Sequence, residues 1–302
     1  MVYDPWLRNA CFERALFVGL IAPLFEGREE WTVREVTIAT VQMHPKLGSQ
    51  EDNLIRMAEW LDKVCTEQRV DLVVFPELVT TGYECGVQFT ELAERVPGPA
   101  VNILAQRASD YGTHILFGMV AKERVESILY NSAVFIGPDG EVIGRYNKVH
   151  LRGEERLAFR AGYRYQVWET EFGNVGVMLG WDLAFPEVGR SLSLDGAEVI
   201  CVCADWENPN ADEWRTYVLS RAYENAVYVA AANRIGEEYT YTFFGDSMIV
   251  GPRGQVYGML DSEEEGYVVA RVDLDEVKRY REELQLFQCR QPSTYRTVVK
   301  KY

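Results

Sequence analysis

The stretch DLVVFPE, at residues 71–77, is a run of apolar and β-branched side chains that ends in proline and glutamate. Before it, the stretch NLIRMAEWLDKVCTEQ at 53–68 places its apolar side chains at helical spacing. Before that helix, VTIATVQ at 36–42 is another β-rich run. Two strands joined by a helix are typical of parallel strands in one sheet, so this region predicts an α/β fold.

The alternation of strand and helix continues along the chain, through AVNILAQRASDYG, HILFGMV, VGVMLG, EVICVCA, TYVLSRAYENA and VYVAAAN. Two similar predicted hairpins interrupt it, at residues 131–146 and 246–260. Each contains a G-P-x-G turn, in which proline sets φ and the later glycine tolerates positive φ. The repeat indicates either an internal pseudo-symmetry or two ordinary hairpins, and the sequence leaves both open.

Composition narrows the class of protein. The chain has 302 residues, of which 47% are hydrophobic and 25% charged, as in ordinary globular proteins. Its formal net charge of -15 argues against a nucleic-acid-binding surface, which requires clustered Lys and Arg. Six scattered cysteines without a CxxC pair favour a reducing cytoplasm over a disulfide framework or a zinc site.

No linker-like stretch divides the chain, so we expect one domain over residues 35–280. Residues 1–34 form a predicted N-terminal extension, and residues 281–302 a C-terminal tail expected at an oligomer interface. The extension contains an apolar run at 15–25 that is too short to span a bilayer. Because this run lacks a basic leader, we favour a helix packing on the domain or on a partner subunit over a signal peptide.

Polar residues that directly follow buried strands are candidates for function, because α/β folds bind ligands at that edge. Glu77 ends the stretch quoted first, Lys148 follows the first hairpin, and Gly180 ends VGVMLG. Taken singly, each has an ordinary explanation: a solvated carboxylate, a surface lysine, and a glycine that allows a bend. The three become informative through the motifs around them.

Eight motifs surround these residues or follow them along the chain: FPE at 75–77, TGY at 81–83, LYNSA at 129–133, YNKVHL at 146–151, EERLAFRAG at 154–162, GWDLAFPE at 180–187, RAYENAVYVAAANRIG at 221–236 and FFGDSMIVGPRG at 243–254. Together they resemble the signature set of the nitrilase superfamily of carbon–nitrogen hydrolases, in its amidase or carbamoylase-like branch. They occur in the family's order, and the resemblance covers roughly residues 36–275. It implies a four-layer α-β-β-α sandwich with internal pseudo-symmetry, assembled as a homodimer or higher homo-oligomer.

The resemblance also implies roles for individual residues. Glu77 falls where the family has its general base, Lys148 where it has the catalytic lysine, and Glu155 where it has a second structural or catalytic glutamate. In the family's mechanism a cysteine thiolate attacks the substrate carbon, and the lysine and a backbone N–H stabilise the oxyanion. The N–H would be that of Trp181. The nucleophile's position is occupied by Gly180.

Glycine cannot perform the covalent step. When triad residues of covalent hydrolases are removed, only about 10³- to 10⁴-fold acceleration over water remains. Cys85 and Cys203 could in principle substitute, but neither lies at the bend that aims the nucleophile. His150 is interpreted as a core residue bracing the lysine loop.

Three hypotheses follow for function. The first is an amidase scaffold in a nucleophile-deleted form, which would hold a substrate without cleaving it. The second is a natural cysteine-less homologue that binds an amide-like ligand, or that directs water with Glu77 in a non-covalent hydrolysis or hydration. The third is a purely structural oligomer subunit, against which the retained acid–base cluster speaks.

The candidate substrate-binding residues combine aromatic rings with carboxylates: Tyr83, Phe185, Asp205 and Trp206. They favour a small polar, amide-bearing substrate over a lipid. The resemblance favours amides and carbamoyl compounds over nitriles, and it implies no metal and no organic cofactor. Neither a nucleic acid nor a membrane is an expected partner.

Overall fold

The computed structural model of the chain describes residues 33–124 and 128–300. Within these residues the strands form two six-stranded sheets and one two-stranded sheet. The predictions made for the N-terminal extension and its apolar run lie outside the described residues, apart from positions 33 and 34. No described helix is both long enough and apolar enough to cross a membrane.

The first sheet has the strand order β14-β1-β2-β3-β4-β5. Strands β1 to β3 are parallel, β4 and β5 form the antiparallel hairpin predicted at 131–146, and β14 pairs antiparallel with β1. The bounds are β1 Glu35–Gln42, β2 Leu72–Val74, β3 His114–Lys122, β4 Leu129–Ile136, β5 Val142–Asn147 and β14 Gly266–Asp273.

The second sheet has the order β13-β12-β9-β8-β7-β6 and repeats this plan. Strands β7 to β9 are parallel, β12 and β13 form the second predicted hairpin, and β6 pairs antiparallel with β7. The bounds are β6 Val167–Glu169, β7 Asn174–Leu179, β8 Val199–Ala204, β9 Tyr228–Asn233, β12 Met248–Val250 and β13 Val256–Met259; the small sheet consists of β10 Ile235–Glu237 and β11 Thr242–Phe244. The matching order of the two sheets favours pseudo-symmetry over two unrelated hairpins.

The helices cover the outer faces of the two sheets. Of the longer helices, α1 and α3 pack on the first sheet, and α5 and α6 pack on the second. The predicted domain end at 280 falls inside the last helix, α7. The bounds are α1 Gln50–Glu67, α2 Phe89–Leu92, α3 Pro99–Tyr111, α4 Glu155–Ala158, α5 Pro186–Leu194, α6 Ala211–Asn225 and α7 Asp275–Leu284.

Strand alternation explains how the layers are held together. Ile38 and Val177 belong to the apolar cluster between the two sheets, whereas their neighbours Ala39 and Met178 face the helices. All four are fully buried. Since successive strand side chains point to opposite faces, strands with apolar residues on both faces require cover on both sides. The result is the predicted α-β-β-α sandwich.

Candidate active site

Three charged side chains that precede Gly180 in the chain meet at one end of the first sheet. Glu77 follows β2, Lys148 follows β5, and Glu155 begins α4. The ammonium of Lys148 donates to Glu77 Oε1 at 2.7 Å and to Glu155 Oε1 at 2.6 Å. Each side chain is at most 3% exposed. The structure therefore brings together the three residues that the resemblance had singled out.

A neutral amide completes this cluster. Asn131, in β4, donates through Nδ2 to Glu77 Oε1 at 2.6 Å and to Glu155 Oε1 at 3.0 Å. The other oxygen of Glu155 accepts from the backbone N–H of Arg152 at 2.9 Å. Sequence reasoning had quoted the motif around Asn131 without giving the residue a role. The available signal was an asparagine within the otherwise largely apolar strand LYNSAVFI.

Burial controls the protonation of the cluster. It raises the pKa of Glu77 to about 7, and the charge of Glu155 adds to this effect while Lys148 and Asn131 oppose it. Burial alone would lower the pKa of Lys148, but the charges of Glu155 and Glu77 outweigh it and raise that pKa well above its ordinary value. The lysine is therefore a fixed positive charge beside a carboxyl that titrates near neutrality.

Gly180 follows β7 and opens a 3₁₀ helix at Gly180–Ala184. Its φ is +41°, a left-handed conformation that favours glycine. A Cβ added to it would overlap Glu77 Oε2 and lie 3.0 Å from Lys148 Nζ. A side chain at position 180 would therefore point directly at the acid–base cluster, as a nucleophile must.

Asp182 ties the turn that carries Gly180 to the loop that carries Lys148. Its fully buried carboxylate accepts from the Tyr146 hydroxyl at 2.6 Å, from the backbone N–H of His150 at 3.0 Å and from that of Leu179 at 3.2 Å. The His150 Nδ1 lies 2.8 Å from the same carboxylate, and its ring stacks on Phe185 with centroids 3.7 Å apart. His150 thus braces the lysine loop.

A cavity of about 20 Å³ adjoins the cluster and Gly180. Of the predicted binding residues, Tyr83, Asp205 and Trp206 line it, whereas Phe185 is not among the lining residues and packs on His150 instead. Their role in binding a substrate stays a prediction. The described residues that line the cavity are Glu77, Tyr83, Lys148, Arg152, Glu155, Gly180, Trp181, Asp205, Trp206 and Glu207.

Arg152 is a cavity residue that sequence reasoning missed. Its Nη1 lies 3.1 Å from Glu207 Oε1, and its guanidinium lies 4.4 Å from the centroid of the Trp181 ring. The Arg152 side chain is 46% exposed, whereas that of Glu207 is 18% exposed, so Arg152 lies on the solvent-facing side of the cavity. Only the LRGEE context, three residues before Glu155, pointed towards it in the sequence.

The two other thiols considered as nucleophiles do not line the cavity. Cys203 lies in β8, fully buried between the sheets, and burial raises the pKa of its thiol well above the ordinary value. Burial raises the pKa of the Cys85 thiol to about 11. Neither forms an appreciable thiolate at neutral pH, so neither substitutes for a nucleophile at position 180.

Comparison with known proteins shows the family to which the chain belongs. Residues 37–282 match the family model described as carbon–nitrogen hydrolase. A protein of Schizosaccharomyces pombe described as a probable nitrilase is 40% identical over 269 residues, which cover 88% of this chain and 99% of the relative. The 2-oxoglutaramate amidase of Bacillus subtilis is 32% identical, over 83% of this chain and 96% of the relative.

A solved structure agrees in fold. The carbon–nitrogen hydrolase of Helicobacter pylori G27 superposes with a TM-score of 0.80 at 23% identity, covering 89% of this chain and 99% of the other. The family model spans most of the chain, and the relatives are matched over nearly their whole length. This chain therefore belongs to the carbon–nitrogen hydrolase family, within the nitrilase superfamily, and has an amidase-type scaffold.

Proposed function

We propose that the site beside Gly180 binds a small amide or carbamoyl compound when its solvent-facing side chains, such as the 46% exposed Arg152, move outwards, and that the chain is a nucleophile-deleted form of an amidase. One observation carries the proposal. A Cβ at position 180 would meet both the Glu77 carboxylate and the Lys148 ammonium. A base and a fixed cation converging on one side-chain position is the arrangement that a covalent hydrolase needs around its nucleophile.

With cysteine at position 180 the chemistry follows from these positions. Glu77 takes the thiol proton, and the thiolate attacks the amide carbon. Lys148 and the N–H of Trp181 stabilise the negative oxygen, and the C–N bond breaks as Glu77 returns the proton to the leaving nitrogen. Water, deprotonated by Glu77, then cleaves the thioester and releases the acid. Glu155 and Asn131 hold Lys148 and Glu77 in place.

Without the thiol, the chain retains the groups that bind substrate and stabilise the oxyanion. We expect it to bind an amide and to turn it over extremely slowly, if at all.

The cavity supports one alternative, a non-covalent reaction. Its volume of about 20 Å³ is enough for one water molecule, and that water would lie beside Glu77, a carboxyl with a pKa of about 7. A natural cysteine-less homologue could use this water directly. Turnover by the unaltered chain that is abolished by Glu77→Gln would establish this alternative.

The decisive experiment is to introduce the thiol. We expect Gly180→Cys to release ammonia from a panel of small amides and carbamoyl compounds, with a covalent acyl adduct visible by intact-protein mass measurement. Gly180→Ala is the matched control, because it imposes the same left-handed strain without a thiol. A folded Gly180→Cys protein that hydrolyses none of these compounds would overturn the proposal.

We further propose that the chain works as a homo-oligomer in the cytoplasm. A groove of about 810 Å³ lies away from the acid–base cluster, between α5 and the C-terminal residues. Exposed apolar side chains border it, among them Leu194, Val298 and Val299. A second copy of the chain would cover them. The described cysteines are free thiols, which favours a reducing compartment.

A further inference from the structure

Asp205 is the one carboxylate lining the cavity that has no hydrogen-bond partner among the described residues. It directly follows β8, is 7% exposed, and has both side-chain oxygens buried without a donor. A buried carboxylate without donors is costly and is normally satisfied by a neighbouring group or a ligand. Burial accordingly raises the pKa of Asp205 well above its ordinary value, although Arg234 opposes this, so burial alone favours the protonated acid and a bound cation would favour the carboxylate.

Every other charged side chain that lines the cavity forms an ion pair with a described residue. Lys148 pairs with Glu77 and Glu155, and Arg152 pairs with Glu207. The described lining contains two basic side chains, Lys148 and Arg152, and four acidic ones, Glu77, Glu155, Asp205 and Glu207.

The nearest additional cation does not remove this imbalance. Arg234 forms an ion pair with Glu238, and its guanidinium lies 4.2 Å from the centroid of the Phe243 ring. It makes no hydrogen bond to Asp205 within the described part of the chain. The cavity lining thus has more acidic than basic side chains, and Asp205 is the acidic side chain that has neither an ion-pair partner nor a hydrogen-bond donor among the described residues.

Aromatic rings complete the wall on this side. Trp206 follows Asp205 directly, and its ring lies 5.5 Å from that of Trp181, centroid to centroid. Tyr83 also lines the cavity. Indole and phenol faces attract cations, as the guanidinium of Arg152 over Trp181 already illustrates. Carboxylates beside aromatic rings form a suitable environment for an organic ammonium group.

We infer that Asp205 selects substrates that carry a protonated amine, so that the preferred compounds are amino amides rather than neutral or carboxylate-bearing amides. The inference rests on the proposed function and deepens it. The ammonium group of the substrate donates to the Asp205 carboxylate while the amide lies against Lys148 and position 180. A carboxylate-bearing amide would instead place its carboxylate against Asp205, where two like charges repel each other.

The test uses the Gly180→Cys protein with three amides of comparable length: γ-aminobutyramide, butyramide and succinamate. We expect kcat/KM to be highest for γ-aminobutyramide and lowest for succinamate. Asp205→Asn in the same background should lower the ratio of kcat/KM for γ-aminobutyramide to that for butyramide about 10- to 100-fold, because it removes a charged hydrogen bond. Asp195→Asn, an exposed position with the same change in charge, should leave the ratio unaltered.

A second measurement does not depend on turnover. The chain with Gly180 should bind γ-aminobutyramide more tightly than butyramide by calorimetry, and Asp205→Asn should abolish the difference. Failure of Gly180→Cys to hydrolyse any amide would contradict the proposed function, whereas the binding preference would still test Asp205. Equal loss for charged and neutral amides in Asp205→Asn, or a preference for succinamate, would overturn the inference and leave the amidase proposal intact.

Discussion

At position 180 the backbone conformation matters as much as the missing side chain. The left-handed φ suits glycine, whereas any larger residue is strained there by about 1–2 kcal/mol. A nucleophilic side chain at this position therefore lowers the free energy of unfolding, while the same backbone conformation directs that side chain at Glu77 and Lys148. Glycine relieves the strain and leaves the cluster around it in place.

The protonation of Glu77 leads to a pH prediction for the Gly180→Cys protein. Burial raises the pKa of this carboxyl from 4.5 to about 7, so below that pH it is mainly protonated and cannot accept the thiol proton. We expect kcat/KM for a neutral amide to rise with pH and to level off above about 7. An acid limb centred near 4.5 would show that the carboxyl is solvated or that another group is the base. Glu77→Gln should remove most of the activity at every pH.

Single residues also mark the limit of sequence reasoning. The resemblance predicted that Glu77, Lys148 and Glu155 belong to one site, and the structure places them together. Asn131 and Arg152 could not be assigned, because their importance depends on partners that only the folded chain brings near. Phe185 was expected at the cavity, but the ring of His150 occupies its face.

Among elements, the predictable ones were the parallel strands and the helices between them. Their apolar runs are long and are buried on both faces, so the sequence signal is strong. Strand β14 was not predicted, although it pairs with β1 along eight residues. It lies far along the chain, at the sheet edge, and its partner cannot be identified from local sequence. Strands β6, β10 and β11 have only 3 residues each, which is too short to give a periodic signal.

The link between the turn at Gly180–Ala184 and the lysine loop gives an element-scale prediction. Asp182→Ala leaves the buried Tyr146 hydroxyl and the His150 N–H without their acceptor. We expect the free energy of unfolding to fall by about 2–4 kcal/mol in urea titrations, with an unchanged m-value. Tyr146→Phe, which removes one of these bonds, should cost about 1 kcal/mol. A loss no larger in Asp182→Ala than in Tyr146→Phe would contradict the bracing role.

At the scale of the whole molecule, the α/β class followed from the sequence pattern and the repeated plan from the family resemblance, whereas the interface of the assembly followed from neither. The hairpins with matching turns left related halves and two ordinary hairpins both open, and the strand orders of the two sheets favour related halves. Which surface meets a partner depends on patches made by residues distant in sequence, such as α5 and the tail.

The proposed oligomer predicts a specific sensitivity. Val298 and Val299 are 59% and 85% exposed beside α5. Replacing both with glutamate should shift the native mass towards the monomer, because a carboxylate is costly to bury in an apolar interface. Val256→Glu is a control at an exposed apolar site elsewhere, on β13, and should leave the mass unchanged. A monomeric unaltered chain, or an oligomer indifferent to the double substitution, would contradict the proposal.

The position of the cavity has a consequence for how the chain folds. The charged cluster is supplied by residues up to Glu155, whereas Gly180, Asp205 and the tryptophans beside them come later in the chain. A ribosome therefore delivers the Glu–Lys–Glu cluster before the residues that complete the cavity around it. Until the second half arrives these charges can remain hydrated, so the cost of removing their water falls late, when the two sheets close on each other. Ligand binding at this site thus reports on the completion of folding.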